Sequence, residues 1–211
     1  MIIHKIPLFT KEIIIFENID LNHNKILSEI EKIEYLPIKH KATDLSHLMP
    51  PSGTHISRSN NILNEIESGE IINNKFCEAV KTTINIFEYD IDFKIVSHWA
   101  TKTEPSYMGE FHTHKNFWLT GCYYPHGELK EQLSVAFKKE SNHLFTPNIK
   151  KANTMNADVY ELFVKKGTLI IFEADLQHKI GFNNTNKNRY SIAFNILPKG
   201  LVGETDSRYV F

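Results

Sequence analysis

Cysteine is nearly absent from this chain: Cys77 and Cys122 are the two it has, far apart and in no CxxC pattern. A disulfide framework and a thiolate metal cluster are thereby excluded as the basis of the fold, and the pair suits a reducing compartment as ordinary buried thiols. Long apolar runs are missing too, with nothing near the roughly 20 residues of a membrane span. The opening MIIHKIPLF is interrupted by His4 and Lys5 and lacks the apolar stretch and small-residue cleavage site of a secretory signal, so the expected location is cytoplasmic. Neither sign of charge is in excess, with 24 basic and 25 acidic residues. No global field draws nucleic acid or an anionic membrane surface. There is no internal repeat and no low-complexity tract.

What is present is core-forming material. In 211 residues, 41% are hydrophobic and 11% aromatic, which is enough to bury one sizeable core, so a single domain over 1–211 is expected. Its parts are N-terminal strands and helices over 1–95, a β core over 96–198 and a tail over 199–211.

The N-terminal segment IIHKIPLFTKEIIIFENI reads as two short strands broken by Pro7, because β-branched and aromatic residues crowd it. From Asn22 to Glu34 the period changes: Ile26, Leu27, Ile30 and Ile33 fall at helical spacing between charged residues, with Asp20 or Asn22 as cap. Lys39 to Asn61, containing PPSGTHISRSNN, has few periodic apolar residues and reads as a loop or lid. A second amphipathic helix follows from Lys75 to Phe87, with Phe76, Val80, Ile84 and Phe87 on one face. Seven strand-like runs come next: FKIVSHWATK, GEFHTH, LTGCYY, QLSVAFKK, VYELFVKKGTLIIFEA, LQHKIGF and RYSIAFNIL. Their number and spacing predict a mainly β chain folded as a jelly roll, a double-stranded β-helix, with the N-terminal helices against one sheet.

His112 and His114 form an HTH triplet whose period of two points both imidazoles to one side of a strand. Alone this means little, since 11 histidines in 211 residues produce about 0.6 such pairs by chance. The weight comes from GTLIIFEADLQHKIGFNNTNKNRYSIAF, where His178 ends one apolar strand and Arg189 opens another eleven residues on. A facial metal triad needs two ligands near one strand, a third from a distant strand, and open positions for a chelating co-substrate and dioxygen. His112, His114 and His178 can be the three ligands. A keto-diacid such as 2-oxoglutarate chelates iron at one end and leaves its far carboxylate in the cavity, where the guanidinium fork of Arg189 is the best partner. Ser191 shares the face of Arg189 and can add a hydroxyl donor.

With these blocks the chain resembles the 2-oxoglutarate- and Fe(II)-dependent oxygenase family of bacteria and phages. In that family an HxH pair precedes a strand like SGVYY, and a G-D-L-x-x-F strand leads to a histidine and then to N-x-x-x-x-x-R-x-S-x-x-F-N. Here stand LTGCYY, GTLIIF, His178, Asn183, Arg189, Ser191 and Phe194-Asn195. The resemblance spans nearly the whole chain. It implies an Fe(II) enzyme that takes 2-oxoglutarate and dioxygen, releases succinate and CO2, and hydroxylates a small-molecule or peptide substrate. It departs from the wider superfamily at His114, where most members have Asp or Glu; a neutral ligand leaves the site more positive. Glu110 has the same parity and is the alternative carboxylate ligand.

Trp99, Tyr107, Phe117, Trp118, Tyr123 and Tyr124 cluster in sequence around the ligand segment, as pocket lining or as core. Tyr107, Asn116, Tyr123 and Asn195 join Arg189 and Ser191 as candidate co-substrate contacts, with Asn116 and Asn195 suited to orienting a ligand imidazole. The other histidines read as structural or surface groups. Two other functions fit the same residues: a cupin-like three-histidine enzyme that uses no keto acid, and a non-catalytic β-sandwich that binds a partner. A homodimer is compatible with the sequence.

Overall fold

In the computed structural model, which describes residues 10–38, 53–140, 145 and 147–210, the chain begins with strand β1 (Ile13–Phe16) and helix α1 (His23–Ile30). The edge strands β2 (Tyr35–Pro37) and β3 (Thr54–Ser57) and the long helix α2 (Gly69–Ile86) come next. Seven core strands follow: β4 (Asp92–Thr103), β5 (Leu119–Tyr124), β6 (Ser134–Lys138), β7 (Val159–Phe163), β8 (Thr168–Glu173), β9 (Gln177–Ile180) and β10 (Arg189–Lys199). A short hairpin, β11 (Leu201–Val202) and β12 (Tyr209–Val210), closes the chain.

The strands form a seven-stranded antiparallel sheet in the order β1-β8-β5-β10-β4-β3-β2 and a smaller sheet in the order β7-β6-β9. This is the jelly roll expected from the strand-like runs, and it carries the helices on one side. The period of two sorts each strand of the large sheet between two cores. Leu119, Tyr123, Leu169, Ile171, Ile192 and Phe194 pack outward against Ile26, Ile30, Ile72, Phe76 and Val80 of the helices. Tyr124, Ile170 and Phe172 point inward, toward Val135 and Phe137 of the small sheet. Fully buried Ile72, Phe76 and Val80 each contribute about 1.5–3 kcal/mol to docking α2.

Several boundaries differ from the sequence reading. Helix α1 is shorter than Asn22 to Glu34, stopping at Ile30 so that Tyr35 can enter a strand; Asn22 is its cap, with Oδ1 accepting from the Lys25 amide at 3.1 Å. Helix α2 starts six residues before Lys75, because Ile72 gives its first turn a buried apolar contact. The run VYELFVKKGTLIIFEA is two strands, broken where Gly167 adopts φ +80°, a left-handed turn suited to glycine. Part of the expected Lys39 to Asn61 loop is strand β3, and 58–61 are irregular as expected; its first part, 39–52, and the first of the two N-terminal strands, in 1–9, lie outside the described residues.

The segment GEFHTH is not a regular strand. It runs beside β9 nonetheless: Gly109 donates to the Ile180 carbonyl, His112 and His178 exchange both backbone hydrogen bonds, and His114 donates to the Ala174 carbonyl. It therefore extends the small sheet by one irregular rung, and this places the two histidines. Among the described residues no helix is long and apolar enough to cross a membrane.

Candidate metal centre

The rungs between 109–114 and 174–180 bring His112, His114 and His178 together, with one potential ligand atom from each lying within 4.8 Å of the others. Ring centroids are 5.2 Å apart for His112 and His114, 4.5 Å for His112 and His178, and 5.0 Å for His114 and His178. At these separations the three rings are close enough together for one metal ion to take a nitrogen from each. Glu110, the alternative ligand, is not in this group.

In each of the three rings one nitrogen is already engaged. His112 Nδ1 lies 2.8 Å from the Glu110 carbonyl and His178 Nδ1 lies 2.9 Å from the Leu176 carbonyl. A carbonyl can only accept, so both rings carry their proton on Nδ1. His114 Nδ1 meets the side-chain oxygen of Asn195 at 2.7 Å, while the Asn195 amide donates to Ser97 Oγ at 3.1 Å. Thr120 Oγ1 is a second, longer neighbour of the same nitrogen at 3.2 Å, and donates its own proton to the Phe194 carbonyl. All three Nε2 atoms are thus left with a free lone pair. Burial pushes the His178 imidazole down to about 3, helped by the neighbouring His112, and burial also lowers His114. Both stand neutral at physiological pH, the form in which imidazole binds a metal.

The interior beyond the histidines is polar at one end. Arg189, 3% exposed, donates from Nη1 to the Ser134 carbonyl at 2.6 Å and has a longer contact of 3.4 Å to the Gly181 carbonyl. Its guanidinium carbon lies 5.5 Å from the Tyr124 ring centroid. Arg189 Nη2 is buried without a hydrogen-bond partner among the described residues. Such an orphaned charged donor costs about 1–3 kcal/mol or more unless something fills it. Gly181 lies three residues beyond His178, roughly 10 Å along an extended chain, so a short diacid can span from the histidines to the guanidinium. The residues present therefore fit both a metal ion and a chelating diacid.

Ser191 faces the same interior, but its Oγ lies 2.6 Å from Thr101 Oγ1. Asn195 shares the face, as described. Tyr123 does not: it is buried in the helix-side core, with its hydroxyl 2.5 Å from His23 Nδ1 and its ring 6.0 Å from that of Phe76. The expected contact with a co-substrate fails at Tyr123 because the strand period sends it outward and its neighbour Tyr124 inward. Tyr107, 43% exposed, lies over Gly53, and Asn116 is exposed on the turn after His114. Of the remaining aromatics, Trp99 is 5.5 Å from His114, while Trp118 packs on Tyr89 at 5.6 Å. His98 is structural, accepting from the Leu63 amide at 3.1 Å.

Sequence reading did not single out Ser134, Thr101 or Thr103 around Arg189. Threonine is ordinary in strands, and its place opposite Arg189 emerges only from the register of β4 and β10.

A family model described as "Putative 2OG-Fe(II) oxygenase" matches residues 97–195, the stretch that holds all four of the principal residues. No curated relative matches the sequence. Solved structures share the fold at low identity. HygX from Streptomyces hygroscopicus, with nickel, 2-oxoglutarate and hygromycin B bound, superposes with a TM-score of 0.62 at 11% identity, covering 90% of this chain and 84% of its own. The non-heme alpha-ketoglutarate-dependent epimerase SnoN from nogalamycin biosynthesis gives 0.62 at 11% identity, covering 89% and 76%. An oxidoreductase of the 2OG-Fe(II) oxygenase family from Burkholderia pseudomallei gives 0.60 at 8% identity, covering 88% and 84%.

Proposed function

We propose that this chain is an Fe(II)- and 2-oxoglutarate-dependent oxygenase that hydroxylates a small molecule, a reading supported by the match of residues 97–195 to the 2OG-Fe(II) oxygenase family model. The observation that carries the reading is the pairing of three histidines, each with Nε2 free, with a buried arginine whose Nη2 has no partner. A three-histidine metal enzyme without a keto acid accounts for the first and leaves the second without a purpose.

In this reading His112, His114 and His178 would hold the iron through Nε2. When bound, the iron would supply, with 2-oxoglutarate and dioxygen, the oxidising power for an unreactive C–H bond, with succinate and CO2 as co-products. The chain's own contribution is placement. Arg189 fixes the far carboxylate with a charge-assisted hydrogen bond. Phe137 and Phe172, the latter 4.8 Å from His178 in an edge contact, keep water from one side of the metal. The exposed His112 marks the open side, where a substrate reaches the centre past Trp99.

The small-molecule preference rests on HygX, whose structure holds hygromycin B; that ligand is a reason to test compounds of that size first. Hydroxylation is the reaction expected from the family resemblance, while SnoN is described as an epimerase, so product analysis belongs to the test. Anaerobic titration of the Fe(II) protein with 2-oxoglutarate should develop a metal-to-ligand charge-transfer band, and Arg189→Ala should shift its midpoint upward by tenfold or more. Absence of the band in the unmodified protein sinks the assignment.

A further inference from the structure

Two buried polar atoms lack a hydrogen-bond partner at the closed end of the interior, and they sit on directly paired residues. Arg189 and Thr103 are opposite one another in the β10–β4 register. Paired side chains on one face have Cβ atoms about 4.5–5.5 Å apart. Arg189 is 3% exposed and Thr103 is 0% exposed. Arg189 Nη2 and Thr103 Oγ1 are both unpartnered among the described residues.

Ser191, the hydroxyl expected from the sequence to assist Arg189, is differently placed. Its Oγ is 2.6 Å from Thr101 Oγ1, and it also reaches the Cys122 thiol, which is hydrogen-bonded with the Tyr124 hydroxyl, itself a partner of the Arg189 guanidinium. One hydroxyl in this interior is therefore committed to its neighbours, and another, two residues along β4 from Thr101, has none. Burying a hydroxyl unsatisfied is unfavourable, so native interiors seldom keep one without a ligand or water to meet it.

We propose that Thr103 is a co-substrate-binding residue: its hydroxyl and Arg189 Nη2 together hold the far carboxylate of the bound diacid, and Ser191 acts one step back by fixing Thr101 and Cys122. A carboxylate has about four acceptor positions and can meet both donors at once, one per oxygen. The threonine methyl, by contrast, offers nothing to an acid that ends short of this point. The pair thus selects a diacid over a 2-oxo monoacid. This inference rests on the proposed use of 2-oxoglutarate and adds to it the identity of the second donor.

The test is anaerobic titration of the Fe(II) protein, followed by the charge-transfer band, with 2-oxoglutarate and separately with 2-oxobutyrate, which lacks the far carboxylate. Thr103→Val keeps the side-chain shape and removes the hydroxyl. It should weaken 2-oxoglutarate binding by about tenfold, the scale of one hydrogen bond to a charged group, and leave 2-oxobutyrate binding within about twofold. Thr103→Ser should restore the unmodified affinity, and Ser191→Ala should cost less than Thr103→Val. Equal 2-oxoglutarate affinity in Thr103→Val and the unmodified protein overturns the role given to Thr103, as does an equal loss for both acids. If the unmodified protein shows no band with either acid, the oxygenase reading itself fails, a result distinct from those two.

Discussion

The His114 imidazole is held by the side chain of Asn195, with Nδ1 and the amide oxygen 2.7 Å apart and the Asn195 amide nitrogen tied in turn to Ser97. The ring of the second candidate ligand is thereby oriented by β10, the same strand that carries Arg189. Its companions His112 and His178 are oriented by backbone carbonyls two residues away. A side-chain partner can be replaced without disturbing the backbone, and this makes the contribution of the orienting bond measurable.

Asn195→Ala should lower the affinity for Fe(II), or for Co(II) as a more stable probe, by about 10–100-fold, the usual range for losing such a partner. Asn195→Asp, which still accepts from Nδ1 and makes the imidazole more basic, should bind at least as well as the unmodified protein. Competition against a chelator measures both. An affinity unchanged in Asn195→Ala would mean that Thr120, 3.2 Å from the same nitrogen, suffices to hold the ring.

The ligand set itself is open to a direct comparison. With Glu110 outside the cluster formed by the three histidines, Glu110→Gln should leave metal affinity within about threefold, whereas His114→Ala should reduce it by several orders of magnitude and His178→Ala should abolish it. The rank order decides the matter: a carboxylate ligand is hard and charged and its loss is costly for iron. A large loss in Glu110→Gln would replace His114 by Glu110 in the triad.

How much of this was legible in the sequence follows from the kind of signal each feature leaves. The strand-His178-strand-Arg189 block announces itself through residue types, since a histidine and an arginine at the ends of strongly apolar strands serve few structural needs. The HTH pair reads as strand and lies instead on an irregular rung, yet the period of two still carries both rings to one side because the backbone stays extended beside β9. Adjacent Tyr123 and Tyr124 are indistinguishable by composition; only the pairing of β5 with β8 and β10 decides which one faces the helices. Thr103 leaves no signal at all, being a common strand residue whose importance depends on the partner across the ladder. The break at Gly167 was hidden because the strand-forming residues on either side of it read as one run.

Close packing between the large sheet and α2 gives a prediction about stability that is independent of the metal. Gly121 on β5 faces Phe194, and a Cβ at position 121 would lie 2.2 Å from the ring. That ring is fully buried and stacks on Phe76 with centroids 4.2 Å apart, so it has no room to withdraw. Gly121→Ala should therefore destabilise the fold by about 1–3 kcal/mol, as overpacking typically does. Urea denaturation of the metal-free protein reads this as a lowered midpoint with an unchanged slope. Pairing the change with Phe194→Leu should recover part of the loss by making space for the added methyl.

Acid stability is set in part by His126, at the end of β5 away from the histidine cluster. Its Nε2 accepts from the Tyr190 amide at 2.6 Å, so the proton of the neutral ring sits on Nδ1. Burial, and then the positive charge of Arg189, push this imidazole down from 6.5 to about 4. The folded state thus binds the proton less readily than the unfolded chain. The resulting stability is fully present above pH 6.5 and drains away as the pH falls toward 4, by at most about 3 kcal/mol for this group. His126→Gln puts an acceptor oxygen near the same place without a titrating ring. It should keep most of the stability at pH 7 and flatten the decline between pH 6.5 and 4 relative to the unmodified protein, and the difference between the two profiles cancels the contributions of the other histidines. Urea midpoints measured across that range on metal-free samples provide the comparison; parallel profiles would remove His126 as a source of the acid sensitivity.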